Sequence, residues 1–246
     1  MQPTSISVFF PMYNERQNIE RVLEEAQEVI PQLGFEDYEV LIIDDGSRDG
    51  CDELVEGYAK THRHIRLARH AQNMGYGAAL RTGFTSATQD AVFYTDCDLP
   101  ADLRELERAL PLLEEADLVI GYRKKRHETL RRALYSRIYN LLMRILFDVH
   151  VRDVNFSFKL VRRSVLESIQ LTAGTVFIDG QLLAEARRYG FQIAEIPIDY
   201  TPRRFGRSNF DRLQTAWDTL MEMLVYWINC NLVVKQAVFD QRHPLL

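Results

Sequence analysis

The sequence predicts an α/β fold built on a mostly parallel sheet with helices on both faces. Three observations carry this expectation: short apolar runs alternate with helix-period segments, the connections between them are short, and polar clusters follow successive apolar runs. Strands covered on both sides are apolar throughout, without in–out alternation.

Residues 5–10, SISVFF, read as the first strand, and NIERVLEEAQEVI (18–30) as an amphipathic helix ending near Pro31. YEVLIID (38–44) is the second strand, followed by a helix over CDELVEGYAKTH (51–62). IRLARH (65–70) is the third, followed by helical GAALRTGFTSA (77–87). DAVFYTD (90–96) is the fourth; a helix over LRELERALPLLEE (103–115) leads to the strand DLVIGY (117–122). The pattern then changes. HETLRRALYSRIYNLLMRILF (127–147) is a long basic amphipathic segment, VNFSFKLV (154–161) a strand, TVFIDGQLLAEARRYG (175–190) a short entry plus helix, and FQIAEIPIDYTP (191–202) a last strand. This last third reads as an extension of the sheet, so one domain is expected over residues 1–246.

The apolar stretch LMEMLVYWINCNLVV (220–234) is interrupted by Glu222, Asn229 and Asn231, which suits a core-docked helix better than a membrane span. An interfacial role with Trp217, Tyr226 and Trp227 at lipid headgroups is the alternative. The N-terminus lacks the basic start and apolar segment of a signal peptide, and three widely spaced cysteines form no disulfide or zinc pattern, which points to a reducing cytoplasm. A formal net charge of −5 argues against a general nucleic-acid binder.

In open α/β sheets ligands bind beyond the carboxyl ends of the strands. PMYNE, DDGSRDG, HAQNMGYG and DCDLP occupy such positions after the first four strands and would share one rim. A dinucleotide fingerprint is missing: Gly75-Tyr76-Gly77 follows the third strand, not the first, and lacks its third glycine. No Walker sequence is present either. Asp44 and Asp45 end a buried strand, where carboxylates can accept hydrogen bonds from a base or ribose, while Asp49 fits a helix cap. Asp96 and Asp98 share one side of an extended chain, and Cys97 points away. Two such carboxylates suit a hard divalent cation completed by substrate phosphates.

The segments FFPMYNERQNI, IIDDGSRDG, NMGYGAALRTGF, YTDCDL, GYR, the Arg132-x-x-x-Ser136-x-x-x-Asn140 series, DVNFSFKLVRR, EIPIDY and RRFGRS run in order from Phe9 to Ser208. This ordered set resembles the family 2 glycosyltransferases of GT-A (Rossmann-like, nucleotide-sugar-binding) fold. Within them it is most similar to the dolichyl- or polyprenyl-phosphate sugar transferase branch. The resemblance implies an inverting transfer of a hexose from a UDP- or GDP-sugar to a lipid phosphate, dependent on Mg2+ or Mn2+. It divides the chain into a nucleotide-sugar half (1–123), an acceptor-side half (124–209) and a C-terminal helical extension (210–246). Pro11, Tyr13, Glu15, Asp44 and Asp45 would hold the nucleotide, and Asp96 and Asp98 the metal and diphosphate. Arg123, Arg132, Ser136 and Arg203 match positions associated with an acceptor phosphate, which guanidinium forks bind in bidentate fashion. Gly206 and Ser208 suggest a loop that closes over the donor.

A lipid phosphate is already ionised near neutral pH and needs positioning more than a base. A hydroxyl acceptor, the second reading, would need one, with Asp153 and Asp179 as candidates. A third reading is a catalytically weakened nucleotide-sugar-binding protein. It draws on departures from the family pattern: Leu99-Pro100 after the acid pair, Gln181 in place of a glutamate, Ser157 in place of a glycine, and Asn209 in place of a lysine. A lipid acceptor would bring peripheral contact at the cytoplasmic membrane face, through the basic Arg123–Arg132 segment or the C-terminal helix. The apolar stripe of that helix could equally serve a dimer, so the oligomeric state stays open.

Overall fold

The β-branched and aromatic runs form strands, and the segments between them with a 3.6-residue apolar period form helices. In the computed structural model, which describes residues 2–124, 130–202 and 213–242, the strands are β1 (Ser5–Met12), β2 (Asp37–Asp44), β3 (Ile65–Arg69), β4 (Ala91–Thr95), β5 (Leu118–Arg123), β6 (Phe158–Arg162) and β7 (Ile193–Ile198). The helices are α1 (Arg16–Val29), α2 (Cys51–Thr61), α3 (Tyr76–Ser86), α4 (Leu106–Ala109), α5 (Leu130–Phe147), α6 (Arg163–Ser168), α7 (Phe177–Arg188) and α8 (Leu213–Arg242).

The strands join in one sheet in the order β3-β2-β1-β4-β6-β5-β7. Every pairing is parallel except those of β6, which runs antiparallel between β4 and β5. The expected mostly parallel sheet is therefore present, with one reversed strand near its centre. Alternate residues feed two cores. Val8, Phe10, Val40, Ile42, Phe93 and Leu160 pack beneath α1 and α2, whereas Phe9, Leu41, Ile43, Tyr94 and Val161 face α3 and α7. Phe9 is enclosed by Phe84 and Tyr94, with ring centroids 5.0 and 5.4 Å away. Replacing such a fully buried aromatic by alanine costs about 3–5 kcal/mol.

Two expected elements differ in form, and the short helix α6 was not expected from the sequence. The helix expected over residues 103–115 is broken into short 3-10 turns around the single α-turn of α4. Pro111 lies at the start of the second 3-10 turn, where its missing N–H prevents a continuous α ladder. The strand expected from Val154 begins only at Phe158, because residues 154–157 form a turn that carries Ser157 to the rim.

Helices α5 and α8 both pack on α7, and rings of Phe147 and Tyr226 join them at 5.9 Å. Their inner faces bury Met143 and Met223. Their outer faces expose Leu134, Ile138, Leu141 and Ile145 on α5, and Trp217, Met221, Val225, Ile228 and Leu232 on α8. At 100° per residue each set forms a narrow stripe opposite its buried methionine.

Candidate functional site

The parallel strands β1, β2, β3 and β4 end on a common edge, so the four polar clusters meet there as their spacing predicts. Pro11 is half-buried near the end of β1, and Tyr13, just beyond the strand, is exposed. Asn14 adopts φ 55°, accepting the Arg48 amide at 2.9 Å while its own amide donates to Ser47 Oγ at 2.9 Å. Glu15 accepts from Asn18 Nδ2 at 2.5 Å. The loops after β1 and β2 are thus laced together. Gly46, at φ +73°, sits against residues 72–73; a Cβ there would lie 2.5 Å from the Gln72 carbonyl carbon.

The two acids ending β2 point to opposite faces. Asp44 is fully buried, accepts the Ser47 amide at 3.0 Å and lies 3.4 Å from Arg69 Nε. Asp45 accepts the amides of Met74 and Gly75, both at 2.8 Å, and bonds His70 Nδ1 at 2.7 Å. Its carboxylate ties down the loop that leads into α3. Asp49 accepts the amides of Arg16 and Cys51, at 2.9 and 3.2 Å, and so fixes the start of α2 from one residue before its cap.

Asp96 and Asp98 are half-buried in the turn after β4, while Cys97 between them is buried on the other face. Asp96 accepts the Ser157 hydroxyl at 2.8 Å and the Tyr76 hydroxyl at 3.3 Å. Leu99 closes the turn at φ 50°, its amide donating to the Asp96 carbonyl at 3.0 Å. Among the described residues no group of three or more His, Cys, Asp or Glu gathers as a cation cage. A two-carboxylate, all-oxygen donor set fits Mg2+ or Mn2+ whose remaining ligands are diphosphate oxygens and water.

On the acceptor side, Arg123 ends β5 and forms a two-pronged pair with the buried Asp153, Nε–Oδ2 2.8 Å and Nη2–Oδ1 3.1 Å. The guanidinium also lies over the Phe156 and Tyr200 rings, 5.6 and 5.7 Å from their centroids. Ser136 is half-buried on α5, and Arg132 lies in the first turn of that helix, its side chain outside the described residues. Arg203, Ser208 and Asn209 also lie outside them. Asp179 is buried in α7 against Lys159 Nζ at 2.7 Å and the Tyr94 hydroxyl. Gln181 is buried too: its carboxamide accepts the amides of Thr172 and Ala173 and donates to the Gln170 carbonyl. An ionised glutamate could not make that last bond, which accounts for the amide here.

Sequence reasoning did not assign roles to Tyr76, Tyr94, Ser157 or Lys159. Three of the four come together because β6 pairs with β4, a register no local pattern reveals. A lysine inside the apolar run FSFKLV was the one available signal.

The profile of glycosyl transferase family 2 matches residues 7–170, two-thirds of the sequence. This chain belongs to glycosyl transferase family 2. The family-2 chain is 30% identical over 207 residues to the glycosyltransferase AglD of Haloferax volcanii, covering 80% of this chain and 33% of that protein. It is 30% identical over 212 residues to dolichyl-phosphate beta-glucosyltransferase ALG5A of Trichomonas vaginalis, covering 79% and 65%. With polyprenol monophosphomannose synthase of Mycolicibacterium smegmatis it shares 32% over 216 residues, covering 82% and 79%. The chain thus spans one-third and just under two-thirds of the first two relatives. Glucosyl-3-phosphoglycerate synthase from Mycobacterium tuberculosis, solved with Mn2+, UDP-glucose and phosphoglyceric acid, superposes with a TM-score of 0.72 at 19% identity, covering 91% of this chain and 80% of that one. The same enzyme solved with Mg2+ and UDP gives 0.68 at 19% identity, covering 90% and 79%. These likenesses establish the GT-A fold of the family-2 chain.

Proposed function

We propose that the chain is a nucleotide-sugar-dependent hexosyltransferase that moves the sugar, with inversion, from a UDP- or GDP-sugar to a polyprenyl-type phosphate. The carrying observation is the state of the two spare carboxylates. Asp153 is engaged by Arg123, and Asp179 is sealed against Lys159 and Tyr94, so neither is set up as a general base. A phosphate oxygen, ionised near neutral pH, needs none. The names of the dolichyl-phosphate and polyprenol relatives support the same acceptor class.

In this reading Pro11, Tyr13, Glu15 and the Asp44–Asp45 strand end frame the nucleotide. Asp96 and Asp98 hold Mg2+ or Mn2+, which supplies charge stabilisation to the departing diphosphate. Arg123, Arg132, Ser136 and Arg203 orient the acceptor phosphate, and the segment around Ser208 covers the donor. Asp153 holds the Arg123 fork in register. A radiolabelled-sugar transfer assay with polyprenyl phosphate and with hydroxyl acceptors tests the assignment; transfer to hydroxyl acceptors alone overturns it.

A lipid acceptor also requires contact with a membrane surface. No helix among the described residues is long and apolar enough to cross one. The apolar stripes of α5 and α8 support peripheral contact at the cytoplasmic face, with exposed Arg137 and Arg144 along one edge of the α5 stripe suited to anionic headgroups. In a Trp227→Phe background Trp217, 59% exposed, is the reporter: its fluorescence shifts to the blue on adding anionic vesicles if this reading holds, and is unmoved if it does not.

A further inference from the structure

One face of the β4–β6 ladder carries two successive polar rungs. In the antiparallel register Tyr94 lies opposite Lys159 and Thr95 opposite Phe158, which brings Asp96 opposite Ser157 at the strand ends. Residues two apart on a strand share a face, so the Tyr94–Lys159 rung stands directly below the Asp96–Ser157 rung. Both rungs are hydrogen-bonded across: Lys159 Nζ donates to the Tyr94 hydroxyl at 3.1 Å, and Ser157 Oγ donates to Asp96 at 2.8 Å. The lower rung is closed from above by α7, whose Asp179 lies 2.7 Å from Lys159 Nζ and accepts from Tyr94. The amine also donates to the Phe156 carbonyl at 2.8 Å, in the turn that carries Ser157.

Nothing in the packing demands charge here. Lys159 is 0% and Asp179 1% exposed, and one Asp179 oxygen, Oδ2, has no hydrogen-bond partner. Burial pushes the Lys159 amine down to about 7 and the Asp179 carboxyl well up, so removal from water opposes charge on both groups. A buried ion pair is commonly replaceable by apolar side chains of similar volume without loss of stability. The cluster instead joins three elements immediately behind the acid pair: β4, the 156–159 end of β6, and the first turn of α7.

We infer that Lys159, Tyr94 and Asp179 form a positioning cluster that fixes the Ser157 turn and Asp96 for divalent-cation binding. The inference rests on the proposed metal role of Asp96 and Asp98. Lys159 ties the Phe156 carbonyl to β4 and α7, and Ser157, one residue on, orients the Asp96 carboxylate. In metal sites generally, groups that hold the ligands matter roughly 10–100-fold in affinity.

The test compares wild type with Lys159→Met, Asp179→Leu and the double variant, measuring melting temperature, Mn2+ affinity at saturating UDP or GDP, and affinity for each nucleotide without metal. Single variants are expected to melt lower, since each strands a buried polar group. The double variant leaves neither charge unpaired and is expected to melt above either single variant, but below wild type because the Tyr94 hydroxyl and the Phe156 carbonyl lose the bonds described above. It is expected to bind Mn2+ about 10–100-fold more weakly and to keep its metal-free nucleotide affinity. Wild-type Mn2+ affinity in a folded double variant overturns the inference, as does an equal loss of metal-dependent and metal-free binding. Tyr94→Phe, which removes only the hydroxyl, gives a second reading if the double variant does not fold: weaker Mn2+ binding supports the cluster and wild-type binding refutes it. Failure of the wild-type protein to bind Mn2+ with either nucleotide refutes the parent reading instead, and is seen before any variant is made.

Discussion

Two acid pairs end neighbouring regions of the sheet, and they are used differently. Asp44 and Asp45 are adjacent, so they point to opposite faces: one is buried against Arg69 and the Ser47 amide, the other is filled by two backbone amides and His70. Asp96 and Asp98 are two apart, in a turn, and Asp96 accepts from the Ser157 and Tyr76 hydroxyls. Adjacent acids brace two loops from the two faces of a strand; acids with one residue between them can turn toward one ligand. Hydroxyl partners hold a carboxylate in place while leaving it able to accept a cation, whereas three convergent donors occupy it.

That contrast can be broken most directly at Asp98. Asp98→Ala is expected to remove several kcal/mol of transition-state stabilisation, roughly a thousandfold in metal-dependent transfer, with little change in melting temperature. Transfer at the wild-type rate would take Asp98 out of the mechanism. At Asp45 the expectation is reversed. Asp45→Ala leaves the Met74 and Gly75 amides and His70 without their acceptor, at a cost of about 1–3 kcal/mol, or roughly 2–12 °C in melting temperature. If Asp45→Ala melts normally yet loses Mn2+ response as Asp98→Ala does, the proposed division between loop-bracing and cation-binding acids is wrong.

A finer test lies at Ser157. Ser157→Ala removes one hydroxyl bond to Asp96 and should weaken Mn2+ binding about tenfold, measured by calorimetry at saturating nucleotide, without a shift in melting temperature. The smallest effect concerns Cys97, which faces away from its neighbouring acids. Burial raises its thiol well above the usual range and raises that of Cys51 to about 11. Alkylation of the native protein at pH 8 should therefore label the half-buried Cys230 ahead of both. Rapid labelling of Cys97 would show that the turn between Asp96 and Asp98 opens in solution.

Much of the donor side was legible because it depends on short-range chemistry. Strand runs, the glycine turn after Asp45 and the two-residue spacing of Asp96 and Asp98 are local, and each cluster fell on the rim its strand dictates. The acceptor side was harder to read. Asp153 and Asp179 looked alike as spare carboxylates, yet one pairs with Arg123 at a strand end and the other with a buried lysine. Gln181 and Ser157 looked like departures from a pattern. In place, the first holds the 170–173 segment through its amide, and the second supplies a hydroxyl to Asp96.

By itself the sequence determined the alternation of strands and helices, the common rim and the family, since apolar period, turn chemistry and motif order are all written along the chain. Only the tertiary structure decided that β6 enters the sheet reversed between β4 and β5. The β4–β6 pairing depends on burial and hydrogen bonding between segments more than sixty residues apart, which no local window contains. From that one pairing follow the Asp96–Ser157 rung, the buried Lys159–Asp179 contact beneath it, and the link between the acid pair and α7.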